Sequence, residues 1–105
     1  MAVHEHRPLD EFQHLRQEAA QVRLRSICSQ MALGLTFCSI AESDLEFGHT
    51  EQSRRVVGKL QKLAATVRRH LNEPDHVPSG AIETVRTELA RLESRIRSVE
   101  ERQRR

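Results

Sequence analysis

The last part of the chain carries an apolar repeat whose members alternate between spacings of three and four residues. The repeat runs without interruption through six positions: Ile82, Val85, Leu89, Leu92, Ile96 and Val99. This spacing places all of these side chains on one face of an α-helix. It is typical of a coiled-coil-like helix, whose apolar seam must pack against another helix. We therefore predict a helix from residue 80 or 81 to about residue 103.

Two breaks separate this helix from two further helical blocks. The first break covers residues 47–50, and the second, at 72–80, holds two prolines. Pro8 suits a first helical position, so block one runs from residue 8 or 9 to residue 46. Gly48 suits the residue after that helix, and Thr50 suits the N-cap of a second helix over 51–71. No stretch alternates with a period of two for long enough to predict a strand.

These blocks predict an all-α fold. The short first connection favours an antiparallel hairpin of blocks one and two, and the third helix completes an up-down-up helical bundle. A chain of 105 residues is expected to form a single helical domain over 1–105, with frayed ends at 1–8 and 102–105. The first helix is long or bent, because Gly34 marks either a close-packing point or a bend.

Block one is apolar around much of its girth, so we expect more than one neighbour to bury it. Cys28 and Cys38 lie in its most apolar stretch and are predicted to be buried, reduced thiols. A reducing compartment follows from that reading. The stretch at 27–41 is too short to span a bilayer, and no signal peptide is visible. These observations predict a cytoplasmic protein that does not bind membranes.

The second helix carries a basic strip beside its core stripe. No Asp or Glu occurs between Gln52 and Asn72, and four cations recur on one face: Arg55, Lys59, Lys62 and Arg69. We call these four residues the basic strip. It suits an anionic partner, either a nucleic-acid backbone or an acidic ligand. The alternative is a solvated face that the acidic end of block one, at 42–46, answers across the hairpin.

The sequence contains no pattern that indicates catalysis or metal binding. GxSxG, GxGxxG, P-loop and HExxH patterns are all missing from it. His4 and His6 lie two residues apart near the start of the sequence. Even so, the six histidines and two cysteines do not show the paired spacing of a zinc site. We therefore expect a non-enzymatic protein without a metal or another cofactor. With no Trp or Tyr and only three Phe, stacking platforms for single-stranded nucleic acid are not expected either.

The middle of the chain resembles a tetratricopeptide-type helical hairpin from about residue 37 to residue 71. The resemblance is carried by large, apolar, small, turn, small and large residues in that order: Phe37, Ile40, Ala41, Gly48, Ser53 and Val57. Asp44 and Leu60 depart from the pattern. The same region resembles short uncharacterised bacterial helical proteins, which implies a bacterial source and a helical bundle but no activity. One hairpin unit cannot bury its own faces, so other helices or a second subunit must cover it.

These observations favour a helical module for protein–protein interaction or self-association. We expect a homodimer, with the seam of the third helix as its self-association surface, because large exposed apolar patches mark partner surfaces. A monomeric three-helix bundle could instead absorb that seam internally. The alternative function is nucleic-acid or acidic-ligand binding through the basic strip. The sequence names no protein partner, ligand or pathway.

Overall fold

The computed structural model describes the backbone of residues 8–105 and the side chains of residues 11–105. It contains three helices, α1 (Pro8–Glu46), α2 (Thr50–Asn72) and α3 (Ile82–Gln103), and a 3₁₀ turn (Ser79–Ala81) leads into α3. No strand occurs within residues 8–105. The prediction of an all-α helical bundle with a long first helix is confirmed. The predicted fraying of 1–8 concerns residues that lie almost entirely outside the described part.

The turn between α1 and α2 ends the first helix with two paired backbone hydrogen bonds. The Gly48 amide donates to the Leu45 carbonyl at 3.1 Å, and the His49 amide donates to the Asp44 carbonyl at 2.7 Å. Gly48 has φ +79°, which glycine adopts without the clash that a Cβ would cause. These bonds form the Schellman arrangement that satisfies the last carbonyls of a helix. The predicted helix-ending role of Gly48 is therefore confirmed.

The N-cap prediction for α2 is wrong by one residue. His49, not Thr50, occupies the N-cap position, and no side chain caps the helix there. The Ser53 amide donates to the His49 carbonyl at 3.0 Å, so the first helical turn already includes Thr50. The His49 amide already donates to a carbonyl of the last turn of α1. The connection between α1 and α2 is therefore one residue shorter than the sequence predicted.

Contacts at three levels show that the helices run up, down and up. At one end, the Ser53 hydroxyl of α2 donates to the Ala41 carbonyl of α1 at 2.9 Å. In the middle, Gly34 of α1 lies against Leu63 and Leu92. At the other end, the Arg23 guanidinium donates to the carbonyl of His76, in the α2–α3 connection, at 3.0 Å. Residue numbers fall along α1 as they rise along α2, so these two helices are antiparallel.

Helix α1 is continuous through Gly34, which is a close-packing point and not a bend. A Cβ built at this position would lie 3.1 Å from Leu92 Cδ2 and 3.5 Å from Leu63 Cδ2. The missing side chain therefore lets α2 and α3 approach α1 at the same level. This observation resolves the alternative that the sequence left open.

The predicted seam of α3 lies inside the molecule. Its five members from Val85 to Val99 are buried, and Ile82 is half-buried at the start of the helix. They pack with residues of α1 and α2, among them Ile27, Met31, Leu60 and Val67. Because the chain covers its own seam, the seam is not the exposed self-association surface that the sequence suggested. One helix that packs against two others uses the same spacing as a helix that packs against a second subunit.

The end of α3 is held to the bundle. The Gln103 side-chain amide donates to Ser53 Oγ at 2.9 Å, and both groups are at least partly buried. Helical backbone continues to Gln103. The fraying expected at 102–105 stays a prediction, and this contact is one that the sequence does not reveal at that end.

The two cysteines differ in their surroundings. Cys38 is buried, as predicted, but Cys28 is exposed, so the prediction for Cys28 is wrong. Burial raises the pKa of the Cys38 thiol, partly opposed by the nearby Arg95 guanidinium. Ten residues along an α-helix rotate a side chain by about 80° in net terms, which is enough to move it from the core to the surface.

Candidate protein interface

Helix α1 is much longer than the helices that cover it. It has 39 residues, whereas α2 has 23 and α3 has 22. At a rise of about 1.5 Å per residue, α1 spans about 58 Å and its neighbours about 35 Å. Residues 11–18 are all exposed, and regular burial in the core begins only at Ala20. The first part of α1 therefore extends beyond the bundle.

An uncharged stripe runs along the side of α1 that faces away from α2 and α3. Its members alternate between spacings of three and four residues, and we call them the outer stripe: Phe12, Leu15, Ala19, Val22, Ser26, Ser29, Leu33, Thr36, Ile40, Ser43 and Phe47. All are exposed except Ala19, which is half-buried. The alternation is that of the a and d positions of a coiled coil. Within the described residues, no helix of this chain covers the stripe.

The apolar members of the outer stripe are strongly exposed. Phe12 is 60% exposed, Leu33 48% and Phe47 75%. Four hydroxyl residues stand between the seven apolar members, so the stripe is uncharged throughout but apolar only in part. Isolated apolar residues at a surface are ordinary, whereas a long row of exposed ones is typical of an interaction surface. Thr36, a polar member, donates its hydroxyl hydrogen bond to the Ala32 carbonyl of its own helix. A partner that covers Thr36 would therefore not leave its hydroxyl group without an acceptor.

The charges beside the stripe differ at its two ends. Arg16, Arg23 and Arg25 flank its first half, where Glu18 is the only nearby acid between residues 16 and 25. Glu42, Asp44 and Glu46 flank its last part, and no charged residue occurs between Ser26 and Ala41. The stripe thus has a basic segment at 16–25, which Glu11 precedes, a neutral centre and an acidic end.

No family model, curated protein or solved structure matches this chain. Inference about function therefore depends on the geometry of its own residues. By length and composition alone, α1 could also cross a membrane between Glu11 and Glu46, and only 28% of its most apolar stretch is buried. Core helices of soluble proteins share that length and composition but are mostly buried, whereas no helix in the described part of the chain covers the outer stripe. A single helix of this kind is weak evidence for a membrane span.

The basic strip of α2 is a second exposed surface. Arg55, Lys59, Lys62 and Arg69 are all exposed, and none of them pairs with a carboxylate in the described part of the chain. Their neighbours are paired instead: Arg54 with Glu51 at 3.0 Å and Arg68 with Glu93.

The acidic end of α1 does not neutralise the basic strip. Glu42 lies 2.9 Å from the Arg95 guanidinium of α3. The expectation that residues 42–46 answer the strip across the hairpin is therefore wrong, because Glu42 faces α3 and not the outer side of α2.

A histidine pair lies where α2 ends. His70 Nδ1 and His76 Nδ1 are 3.3 Å apart, so at least one imidazole must be neutral to accept the hydrogen bond. Glu73 lies 3.1 Å from His76 Nε2. Among residues 11–105, no three His, Cys, Asp or Glu side chains form a group suited to a metal ion. His4 and His6 lie outside the described residues.

Sequence reasoning missed the outer stripe as a surface. From the sequence, block one is apolar around much of its girth, and we expected additional core helices to cover all of that surface. A count of the three-and-four spacing from Phe12 to Phe47 would have found the stripe. What the sequence could not reveal is that both neighbouring helices pack on the opposite side of α1.

Proposed function

We propose that this protein is a non-enzymatic helical module that binds another polypeptide through the outer stripe of α1. The observation that carries the proposal is the uncovered, uncharged heptad repeat along the longest helix of the chain. A partner helix laid along this repeat would bury side chains that now face solvent. The a/d spacing is the one that such helix pairing requires.

The size of the stripe supports a stable contact. From Phe12 to Phe47 the stripe covers 36 residues, a strip about 54 Å long and about 10 Å wide with a footprint of about 540 Å² on each partner. Counting both partners, this reaches the roughly 1,000 Å² that separates specific interfaces from incidental contacts. Because the stripe already lies on a formed helix, binding does not have to order its backbone, and less conformational entropy is lost.

Photo-cross-linking in the native host tests this proposal. The full chain carries benzoylphenylalanine in place of Leu33, on the stripe, or in place of Leu35, off the stripe. The two positions form a matched pair, because these leucines are 48% and 42% exposed on the same helix. We expect irradiation to yield a protein adduct at position 33 that Ile40→Glu abolishes, and little adduct at position 35. Equal labelling at the two positions, or no protein adduct at position 33, would refute the proposal.

Nucleic-acid or acidic-ligand binding is a second candidate function. It is favoured by the four exposed cations of the basic strip that lack carboxylate partners in the described part of the chain. A phosphate backbone is recognised by such cations without any sequence readout. The net charge of +2 shows that the attraction would have to be local.

A salt titration with a labelled random DNA duplex tests this second candidate. Phosphate contacts predict an affinity that falls steeply with salt, and Lys59→Glu with Lys62→Glu should abolish binding. Arg91→Glu is the control, because Arg91 is exposed but already paired with Glu88 at 3.1 Å. Binding that the Lys59 and Lys62 changes leave intact would exclude the strip.

A further inference from the structure

We propose that the polypeptide which covers the outer stripe is a second copy of this chain, with the two α1 helices antiparallel. The inference rests on the proposed function and names its partner. It places the dimer contact on α1 and not on the α3 seam, which the chain buries by itself. Both the stripe and the charges beside it suit a twofold pairing of two copies.

The stripe is complementary to itself after a half-turn. A twofold dimer brings one surface against a copy of the same surface, so that surface must match itself under rotation. Turning α1 end over end, with the uncharged segment on its own copy, lays residues 21–25, which include Arg23 and Arg25, beside the acidic segment at 42–46 of the partner. The uncharged segment at 26–41 then meets its own copy at the centre. Opposite charges at the two ends thus favour this pairing at both ends of the contact.

Charged side chains remain available for this pairing. Arg25 and Glu46 are exposed and form no ion pair in the described part of the chain. Arg23 already donates to the His76 carbonyl, and Glu42 lies against Arg95. The unused charges of the two facing segments are therefore Arg25 on one side and Glu46 on the other, which an antiparallel copy brings close together.

Helix polarity favours the same orientation. In a parallel pair, the two acidic segments at 42–46 would lie side by side, next to two helix C-termini that carry partial negative charge. Like charges placed together across an interface oppose association. In the antiparallel pair, each acidic segment instead lies beside the more N-terminal, basic part of the other helix.

The packing of side chains is compatible with the antiparallel pair. In such a pair, positions of the a type face positions of the d type. The stripe then sets larger a residues, such as Leu33 and Ile40, against smaller d residues such as Ser29 and Thr36. Large residues opposite small ones favour close packing at the centre of the contact, whereas Ser26 meets Ser43 and Phe47 meets Val22 on either side of it.

Sedimentation of the full chain, from micromolar concentration up to about 1 mM, tests the partner. We expect the wild type to have twice the 12.1 kDa mass of the chain. Leu33→Glu should be monomeric with unchanged helicity, because Leu33 is exposed in the single chain. The matched control Leu35→Glu should remain a dimer. A wild type that stays monomeric throughout, or equal dissociation by the two changes, would overturn the proposal.

Spin-label distances test the orientation. A single label at Phe47→Cys in a Cys28→Ser background leaves only the buried Cys38 thiol beside it. In the antiparallel dimer the two labels should lie about 35–50 Å apart, from the 1.5 Å rise per residue. A separation below about 20 Å would establish a parallel pair and overturn the antiparallel assignment.

These outcomes separate the partner from the proposed function. A monomer that still yields a protein adduct at position 33 in the host would retain the interaction function and reject the second copy. A monomer that instead sediments with vesicles of phosphatidylcholine and phosphatidylglycerol, and loses this with Leu33→Glu, would assign the stripe to a lipid surface. That result would overturn both proposals.

Discussion

A single missing side chain sets the closest approach of the three helices. Gly34 sits at the level where Leu63 of α2 and Leu92 of α3 converge on α1. Glycine in a helix interior costs about 1 kcal/mol relative to alanine, and at Gly34 close packing offsets that cost. The space it leaves is filled by the ends of two leucine side chains, which supply that gain.

Enlarging Gly34 should destabilise the fold. Gly34→Val forces branched atoms into positions already held by Leu92, where even a Cβ would lie at 3.1 Å. We expect the free energy of unfolding to fall by about 1–3 kcal/mol, the usual cost of overpacking. Urea unfolding followed by circular dichroism measures this, since the chain has no Trp or Tyr for fluorescence.

Gly58 provides the control for that measurement. It also lies within a helix, but a Cβ there would meet no atom within 4 Å. Gly58→Ala should raise the free energy of unfolding by about 0.5–1 kcal/mol through helix propensity alone. If Gly34→Val were also stabilising, close packing at Gly34 would be wrong.

The two thiols should react at very different rates. A maleimide should label Cys28 rapidly and Cys38 only through unfolding, because Cys38 is buried and burial raises its pKa. Thiolate is the reactive form, so a raised pKa slows Cys38 further. Mass spectrometry over time should show one fast label per chain, and Cys28→Ser should remove it. Two fast labels would contradict the burial of Cys38.

The same raised pKa affects stability in alkaline solution. Because the pKa of the Cys38 thiol is higher in the folded state than in the unfolded state, Cys38 makes its full contribution to the free energy of unfolding below the unfolded pKa. This contribution is lost as the pH rises past the unfolded value of about 8.5.

At the scale of elements, one hydroxyl joins all three helices at the end near the α1–α2 turn. Ser53 Oγ of α2 donates to the Ala41 carbonyl of α1 and accepts from Gln103 Nε2 of α3, each at 2.9 Å. Ser53 is fully buried, so its partners have little water to replace it. A buried polar group that loses its partner costs about 1–3 kcal/mol.

Removing this hydroxyl should loosen the end of the bundle. Ser53→Ala should lower the free energy of unfolding by about 1–2 kcal/mol, and Gln103→Ala by less, since Gln103 is only half-buried. A double-mutant cycle in urea should give a coupling of about 0.5–1.5 kcal/mol. Thr66→Ala is the control: that hydroxyl donates only to a carbonyl of its own helix. A coupling near zero would show that the two side chains act independently.

The helices themselves could be predicted from the sequence, because their ends are marked by residues with strong backbone preferences. Pro8, Gly48 and the prolines at 74 and 78 bound three uninterrupted helical patterns. The partner of each apolar face could not be predicted in the same way. The α3 seam and the outer stripe of α1 share one spacing, but the chain buries the first and exposes the second. Spacing identifies a face that packs against a helix, and only the fold shows whether that helix belongs to the same chain.

At the scale of the whole molecule, the bundle leaves a large share of its longest helix uncovered. A chain of 105 residues has a stability of only about 5–15 kcal/mol. The two shorter helices, α2 and α3, bury the inner side of α1 only over their own length. Burying the outer stripe against a partner would therefore add a sizeable share to a small free energy of unfolding. The protein's stability should then depend on the concentration of that partner.

Thermal unfolding at several protein concentrations should reveal this dependence. If two copies pair through the outer stripe, the wild-type Tm rises with concentration, because association stabilises the folded chain by mass action. Leu33→Glu should remain helical with a Tm that no longer changes with concentration, whereas Leu35→Glu should keep the dependence. Leu92→Asp should fail to fold cooperatively at any concentration, since it buries an unpaired carboxylate at a core position that is 1% exposed. A folded, concentration-dependent Leu33→Glu variant would mean that the copies meet elsewhere on the surface.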